Sequence, residues 1–369
     1  MAKSVYIADV CKEIFAGGDV PKDALSYEKT EEYNVPIFSN GEKNCGLYGY
    51  TNNARVKESS ITVSARGTIG YTAIRTEPFV PVVRLITLTP KSEVIDLDYL
   101  FYATQNYKFE GSGTSIPQLT VPILKKYKFP LPEMSHQKAI AVKFEKLDQL
   151  ISLRKQQLAK LDELVKARFV EMFGDPIRNE KGWNTYTLAE MCDGIGDGLH
   201  GTPEYDENGE YPFINGNNLI SGIIQINPST KKVNKKTYEK HYIKISQNAI
   251  LLSINGTLGK IAFYNGEQVM LGKSACYCNL KDEVNRIFVY NIMKTDAFAR
   301  YLEDNATKST IKNVGLKAIR EYRLIMPPIP LQNQFSSFVE RVDQQKQTVQ
   351  QSLEKLELMK KALMQEYFG

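Results

Sequence analysis

Cysteine is sparse and scattered in this sequence. Cys11, Cys45, Cys192, Cys276 and Cys278 form no Cys-x-x-Cys pair, which argues against a disulfide framework and against a zinc site. His136, His200 and His241 show no metal-ligand spacing among themselves. The phosphate-cradling loop GxxxxGK[ST] is missing: "GTLGK" from Gly256 to Lys260 is too short and lacks the following hydroxyl. GxGxxG, HExxH and the Asn-Pro-Pro-aromatic tetrapeptide of amino-methyltransferases are missing too, and Ser64 and Ser253 have no matched pair of histidines. Nothing in the residues assembles a catalytic centre. No apolar run approaches the roughly 18 residues of a membrane span, and the opening MAKSVYIADVCKEI lacks the charged-then-apolar pattern of a signal peptide. The sequence reads as that of a soluble, cytoplasmic protein.

Charge of either sign is also in short supply as an excess. The net charge is +5, divided as +3 over residues 1–174 and +2 over the remainder, so neither half is a basic arm. Such a balance weakly favours an anionic partner, because a modest total can hide a basic face. With 369 residues the chain exceeds one ordinary hydrophobic core, and two domains are expected.

What the chain does contain is a copy of itself. A shift of 195 residues lays Ser115–Gly174 on Thr310–Gly369 without a gap, matching Tyr127 with Tyr322, Pro132 with Pro327, Gln137 with Gln332 and Phe173 with Phe368. Near the N-terminus a shift of 181 places Ala8 on Ala189 and Cys11 on Cys192. Identity nearly vanishes between these anchors. The unit is therefore a variable globular head followed by a more uniform tail, written twice.

Each tail is helical by its spacing. Phe144, Leu147, Ile151, Leu158, Leu161, Val165 and Met172 alternate by threes and fours, interrupted by Arg154 and Arg168. Phe335, Val339, Val342, Val349, Leu353, Leu356, Leu363 and Tyr367 keep the same frame, with Lys346 and Lys360 as its polar exceptions. Proline-rich lead-ins, "FPLPEMSHQ" and "IMPPIPLQNQ", block helix before each tail. An apolar stripe this long needs a partner, and two related helices in one chain are obvious mutual partners. Each would have about 37 residues and span roughly 55 Å. An antiparallel intramolecular coiled coil with pseudo-twofold symmetry, separating two heads, is the expected arrangement. The boundaries read as a first head over 1–134, a central helix over 135–174, a linker over 175–184, a second head over 185–330 and a final helix over 331–369.

The heads mix strands and helices, giving an α+β class. In the first, "VPIFS" from Val35, "SITVSA" from Ser60, "GYTAI" from Gly70 and "VVRLITLT" from Val82 read as strands, and "IDLDYLFYATQNY" from Ile95 reads as a helix capped by Asp96. The second offers "YPFIN", "GIIQI", "AILLSI" and "GKIAFY", then "RIFVYNIMKTDAFARYL" as the matching helix.

Between two strands of each head lies nearly the same loop, "SARGTIG" from Ser64 and "SINGTLG" from Ser253. Glycines there permit a tight turn and let backbone amides approach an outside group, although a turn needed only for sheet geometry would use them equally. Arg66 and Asn255 fill the same motif position, and these side chains suit guanine and adenine edges respectively. Thr68 and Tyr71, with Thr257 and Lys260, complete the two loops as candidate DNA contacts. A second polar cluster precedes each tail. Ser112, Thr114, Ser115 and Gln118 in one head, and Lys308, Ser309, Thr310, Lys312 and Asn313 in the other, could meet phosphate oxygens. Lys231 and Lys232 could do likewise, or simply face water.

Two variable heads, two repeated helices and the segment "DGLHGTPEYDENGEYPFINGNNL" from Asp197 together resemble the specificity subunit of type I DNA restriction-modification enzymes, over the whole chain. The second head carries the motif in full, while "GGDVPKDALSYE" in the first lacks its His-x-Thr-Pro element and keeps only "VPIFSNG". The resemblance adds His200, Thr202, Asn215, Asn217 and Asn218 to the candidate DNA contacts of the second head, and Ser39, Asn40 and Lys43 to those of the first. It implies that each head reads one half of a bipartite site in double-stranded DNA while the helices fix the gap. It further implies two methyltransferase subunits and two restriction subunits as partners. S-adenosylmethionine, ATP and magnesium would reside on those partners, with no cofactor and no metal on this chain. Two other classes fit the composition: a DNA-modifying enzyme with an unrecognised site, which alone would methylate or cut DNA, and a coiled-coil scaffold whose heads bind protein and retain no DNA.

Overall fold

A computed structural model describes residues 3–107 and 118–369. Two compact units emerge, one formed by Met1–Gln156 with Val349–Gly369, the other by Gln157–Thr348. Each unit holds one head and a portion of both long helices.

In unit 1 the strands Cys11–Ala16, Ile86–Pro90, Ser60–Val63 and Thr72–Arg75 form a four-stranded antiparallel sheet in that order. A three-stranded sheet, Leu47–Thr51 with Val35–Phe38 and Val80–Pro81, stands beside it, its last pair parallel. Lys3–Tyr6 pairs with Lys128–Leu131, bringing the start of the head to its end. Unit 2 repeats every piece: Cys192–Asp197, Ala275–Leu280, Ala249–Ser253 and Ile261–Phe263 in one sheet, Lys232–Val233, Tyr211–Ile214 and Met270–Leu271 in another, and a closing ribbon of Thr185–Thr187 with Arg323–Ile325. The mixture of strand and helix is that of an α+β protein.

β-branched and aliphatic residues explain the central strands. Ile61, Val63 and Leu88 are fully buried in unit 1, as are Ile250, Leu251 and Leu252 in unit 2. A head helix packs on each sheet. Asp96 caps Leu97–Gln105 by accepting from the Tyr99 amide at 3.0 Å, and Asn285 caps Arg286–Met293 in the same manner. The single helix expected over "RIFVYNIMKTDAFARYL" is instead two, Arg286–Met293 and Asp296–Asp304. Thr295 divides them: its hydroxyl accepts from the Phe298 amide and starts a new helix where the periodicity alone shows no break. "VVRLITLT" departs similarly, because Val83 and Arg84 adopt left-handed φ of 51° and 65° and the strand begins only at Ile86.

The long helices run Met134–Phe173 and Ile329–Phe368. Pro330 lies in the first turn of the second, where its missing N–H breaks no helical bond. One buried glutamine fastens each helix to its head. Gln137 accepts from the Asp96 amide at 2.9 Å and donates to the Val94 and Pro132 carbonyls, while Gln332 accepts from the Asn285 amide at 3.0 Å and donates to the Pro327 carbonyl. Both side chains are almost wholly buried, with every amide group used, which is the condition under which a buried amide is tolerated.

Within unit 1, Lys143 donates to the Tyr367 hydroxyl at 2.9 Å, Lys360 meets Asp148 at 2.6 Å and Lys155 meets Glu357 at 3.0 Å. Within unit 2, Lys346 meets Asp162 at 2.7 Å and the Phe169 and Phe335 rings lie 5.5 Å apart. Rising numbers on one helix meet falling numbers on the other, so the paired segments in each unit are antiparallel. The two polar exceptions of the second helix, Lys346 and Lys360, thus find carboxylates across the seam. These partly exposed pairs contribute only about 0.2–1 kcal/mol each, and they favour one register more than they add stability.

The apolar frame drifts toward the helix ends. Phe169 and Phe173, rather than Val165 and Met172, are the buried residues of the first, and Met364 and Phe368, rather than Leu363 and Tyr367, those of the second. An α-helix advances 3.6 residues per turn against the 3.5 of a strict heptad. The last turns accordingly face a head helix: Phe173 lies 4.9 Å from Phe288, and Phe368 lies 5.1 Å from Tyr99.

Candidate nucleic-acid interface

The repeated loop is the same object in both heads. Ser64 N–H donates to the Tyr71 carbonyl at 2.8 Å and Gly70 N–H to the Ser64 carbonyl at 2.9 Å; Ser253 N–H donates to the Lys260 carbonyl at 2.8 Å and Gly259 N–H to the Ser253 carbonyl at 2.9 Å. Gly67 and Gly256 follow the variable residue with φ of 69° and 76°, and Gly70 and Gly259 close the loop at 87° and 76°. These positions require the left-handed region, which explains why the glycines survive where the neighbouring sequence differs. Arg66, Thr68 and Thr257 are exposed on the loops, whereas Asn255, Lys260 and Tyr71 are half-buried.

A second segment crosses each loop. Leu119 N–H donates to the Ala65 carbonyl in the first head, and Val314 N–H donates to the Ile254 carbonyl in the second, both at 2.9 Å. Side chains join the same segments: Arg66 donates from Nε and Nη2 to Gln118 Oε1 at 3.0 and 2.8 Å, and Asn255 Nδ2 donates to Asn313 Oδ1 at 3.2 Å. Gly256 N–H donates to the Lys312 carbonyl at 2.9 Å, placing Lys312 beside the loop, where its ammonium is paired with Glu303. Lys308, Ser309 and Thr310 are exposed nearby, with Ser309 donating to the Ile311 carbonyl. Ser112, Thr114 and Ser115 lie outside the described residues.

Asparagines hold these loops from behind. Asn40 accepts from the Ala65 amide at 2.7 Å and donates to the Val83 carbonyl at 2.6 Å, and Ser64 Oγ accepts from the Gly41 amide at 3.1 Å. In the second head Ser274 donates to Asn215 at 2.9 Å and accepts from the Gly216 amide, while its carbonyl accepts from Ile254. Asn218 accepts from the Asn215 amide and donates to the Gln225 carbonyl. Asn40, Asn215 and Asn218 thus act as brackets, whereas Asn217 is exposed. Ser39 pairs with Gly46, and Lys43 stands exposed on the turn they close. Beneath that turn Arg75 is buried over the Phe38 ring, 3.6 Å from its centroid, and donates to the Cys45 carbonyl at 2.7 Å. Burial lowers the Arg75 pKa from its usual value, and burial followed by a hydrogen bond with Cys45 raises that of Tyr71.

His200, Thr202 and Lys231 occupy a separate stretch of the second head. His200 Nε2 lies 2.8 Å from Asp197, and Lys231 sits 4.2 Å over the Tyr205 ring. Lys232 is exposed on the strand paired with Pro212. Two further exposed cations, Arg84 and Lys273, were not singled out by the sequence: each stands in the turn that Asn40 or Ser274 ties to the repeated loop, and "VVRL" carries no turn signal that would place Arg84 there.

The chemistry available here is recognition. Amide, guanidinium and ammonium donors project from loops braced by the sheet, which is a geometry suited to polar edges and phosphates. Among the described residues no group of His, Cys, Asp and Glu could hold a metal ion, and no helix is long and apolar enough to cross a membrane.

Comparison with known proteins agrees with this reading. Residues 2–163 and 180–358 match the family model described as type I restriction modification DNA specificity domain. The putative type I specificity subunit S.MpnORF89P of Mycoplasma pneumoniae is 38% identical over 167 residues, covering 42% of this chain and 49% of the relative. The type I restriction enzyme MjaIX specificity subunit of Methanocaldococcus jannaschii is 24% identical over 363 residues, covering 88% of this chain and 80% of the relative. The chain spans about half the length of S.MpnORF89P and of the putative type I specificity subunit S.MpnORF507P of the same organism. The crystal structure of the S subunit of a type I restriction-modification system from M. genitalium shares the fold, with a TM-score of 0.61 at 18% identity over 100% of this chain and 96% of that one. The chain belongs to the type I restriction modification DNA specificity domain family.

Proposed function

We propose that this chain is the DNA sequence-specificity subunit of a type I restriction-modification complex, in which each head reads one half of a bipartite site in duplex DNA. One observation carries the reading. The same braced two-loop device occurs in both heads with different side chains at its tip, Arg66 in one and Asn255 in the other. A constant frame with interchangeable readers is what two unlike half-sites require.

The two long helices serve as the spacer between the readers, an antiparallel intramolecular coiled coil whose heads are related by pseudo-twofold symmetry. Helices of 40 residues, each about 60 Å long at 1.5 Å per residue, support this role. Half-sites roughly one helical turn of DNA apart, about 34 Å, are within the span of a ruler of that size. The helices also dock two methyltransferase subunits, which bring S-adenosylmethionine and flip the target adenine. Two restriction subunits with ATP and magnesium complete the assembly. On this reading the chain works in the cytoplasm, and its own residues only bind and orient.

Methylated adenines mapped across the genome of a host expressing this chain with its methyltransferase test the proposal. The expected result is one asymmetric motif in two blocks separated by a fixed number of unspecified base pairs. Methylation without sequence preference, or confined to one unbroken block, would contradict it.

A further inference from the structure

We propose that Gln118 and Asn313 are specificity-positioning residues: each fixes the base-reading side chain of the neighbouring loop, so that the Arg66–Gln118 pair reads a guanine-bearing base pair in one half-site and the Asn255–Asn313 pair an adenine-bearing base pair in the other. The inference rests on the reading of the chain as a DNA-specificity subunit and names the residues by which each head discriminates.

The stereochemistry supports it. A guanidinium has five N–H groups in a plane. Gln118 Oε1 takes the side edge, Nε–H and one Nη2–H, at 3.0 and 2.8 Å. What remains includes the end edge, one N–H from each terminal nitrogen, which is the fork that matches O6 and N7 of guanine. A long side chain on an exposed loop would otherwise sample many rotamers, and ordering it on binding costs side-chain entropy. The carbonyl of Gln118 pre-orders it.

Asparagine in the second head is treated the same way. Asn255 gives one Nδ2–H to Asn313 Oδ1 at 3.2 Å, and its own Oδ1 with the other Nδ2–H forms the acceptor and donor pair complementary to N6 and N7 of adenine. The backbones also cross, Asn255 bridging to Asn313 and Leu119 bonding to Ala65, so the positioning residue sits at one fixed place relative to the reader. Gln118 and Asn313 coincide under the 195-residue shift that relates the tails. The pairing therefore recurs with matched substitutions, the longer reader beside the longer positioner and the shorter beside the shorter.

Selection from a random-sequence duplex DNA library, by the full chain bound to its methyltransferase partner, reads the base preference at each position. Arg66→Ala should lower discrimination at one guanine-bearing position of one half-site by roughly 10-fold or more. Gln118→Leu should lower it several-fold at that same position, and Gln118→Glu, which keeps the acceptor, should restore it. Asn313→Leu and Asn313→Asp should behave likewise at one adenine-bearing position of the other half. The untouched half-site in every variant reports that the protein is folded. Unchanged preferences in Gln118→Leu and Asn313→Leu, or an even loss over all positions, would overturn this inference alone. Failure of the unaltered chain to select any two-block sequence would overturn the function on which it rests.

Discussion

Phe368→Ala will loosen the first head, although the helix that carries Phe368 follows the second head in sequence. The ring is 3% exposed, lies 5.1 Å from Tyr99 of the first head helix and stacks 5.8 Å from Phe144 of the first long helix. Its removal leaves a cavity bounded by three rigid elements that cannot collapse together, at a cost of about 3–5 kcal/mol. Amides of Leu97–Gln105 should exchange hydrogen faster by two or more orders of magnitude, provided they open through the destabilised state. Protection in Arg286–Met293, where Phe173 does the corresponding work, should hardly change. Protection lost first in the second head would show that the final turn of the second long helix does not support the first.

The other large effect is expected from Gly198→Ala. Gly198 belongs to the "DGLHGTP" segment and passes so close to the next strand that a Cβ would overlap the Leu271 carbonyl carbon and oxygen. Leu199 N–H is bonded to that carbonyl at 2.8 Å, so neither backbone can retreat without breaking the connection. Gly17 in the first head meets the Pro81 carbonyl in the same way. Overpacking against fixed backbone should cost about 3 kcal/mol or more. Gly201→Ala, three residues away with open space around its added carbon, should change stability by less than about 0.5 kcal/mol. Denaturant unfolding of both variants decides the matter: equal midpoints would mean that the strands are not in close contact at Gly198.

Much of this architecture is visible in the residues because duplication supplies two readings of one design. Gly67 and Gly256 stand out only when the loops are compared, and Asp96 announces its helix because capping is local chemistry. What escapes has no local signal. The break at Thr295 depends on a side chain choosing to cap where it could have stayed within a helix. The turn at Val83 and Arg84 is imposed on residues that prefer strands, held there by the Gly18 and Gly17 carbonyls and by Asn40. The drift from Leu363 and Tyr367 to Met364 and Phe368 comes from a third element, the head helix, that a two-helix pattern does not contain. Within the candidate interface, residue type suggested Arg66 and Asn255, but no spacing rule links Arg66 to Gln118, 52 residues away. Nor could composition separate Asn40, which braces, from Asn217, which is exposed. Long-range hydrogen bonding assigns those roles, and it exists only once the sheet has formed.

Two independent readers joined by a spacer are what the proposed function requires of this chain. The most direct test is to replace residues 1–134 with the first head of another family member and map the methylated adenines in a host supplying the methyltransferase. One block of the recognised motif should change to that of the donor, while the other block and the gap between them stay as they were. A change in both blocks, or in neither, would contradict the account.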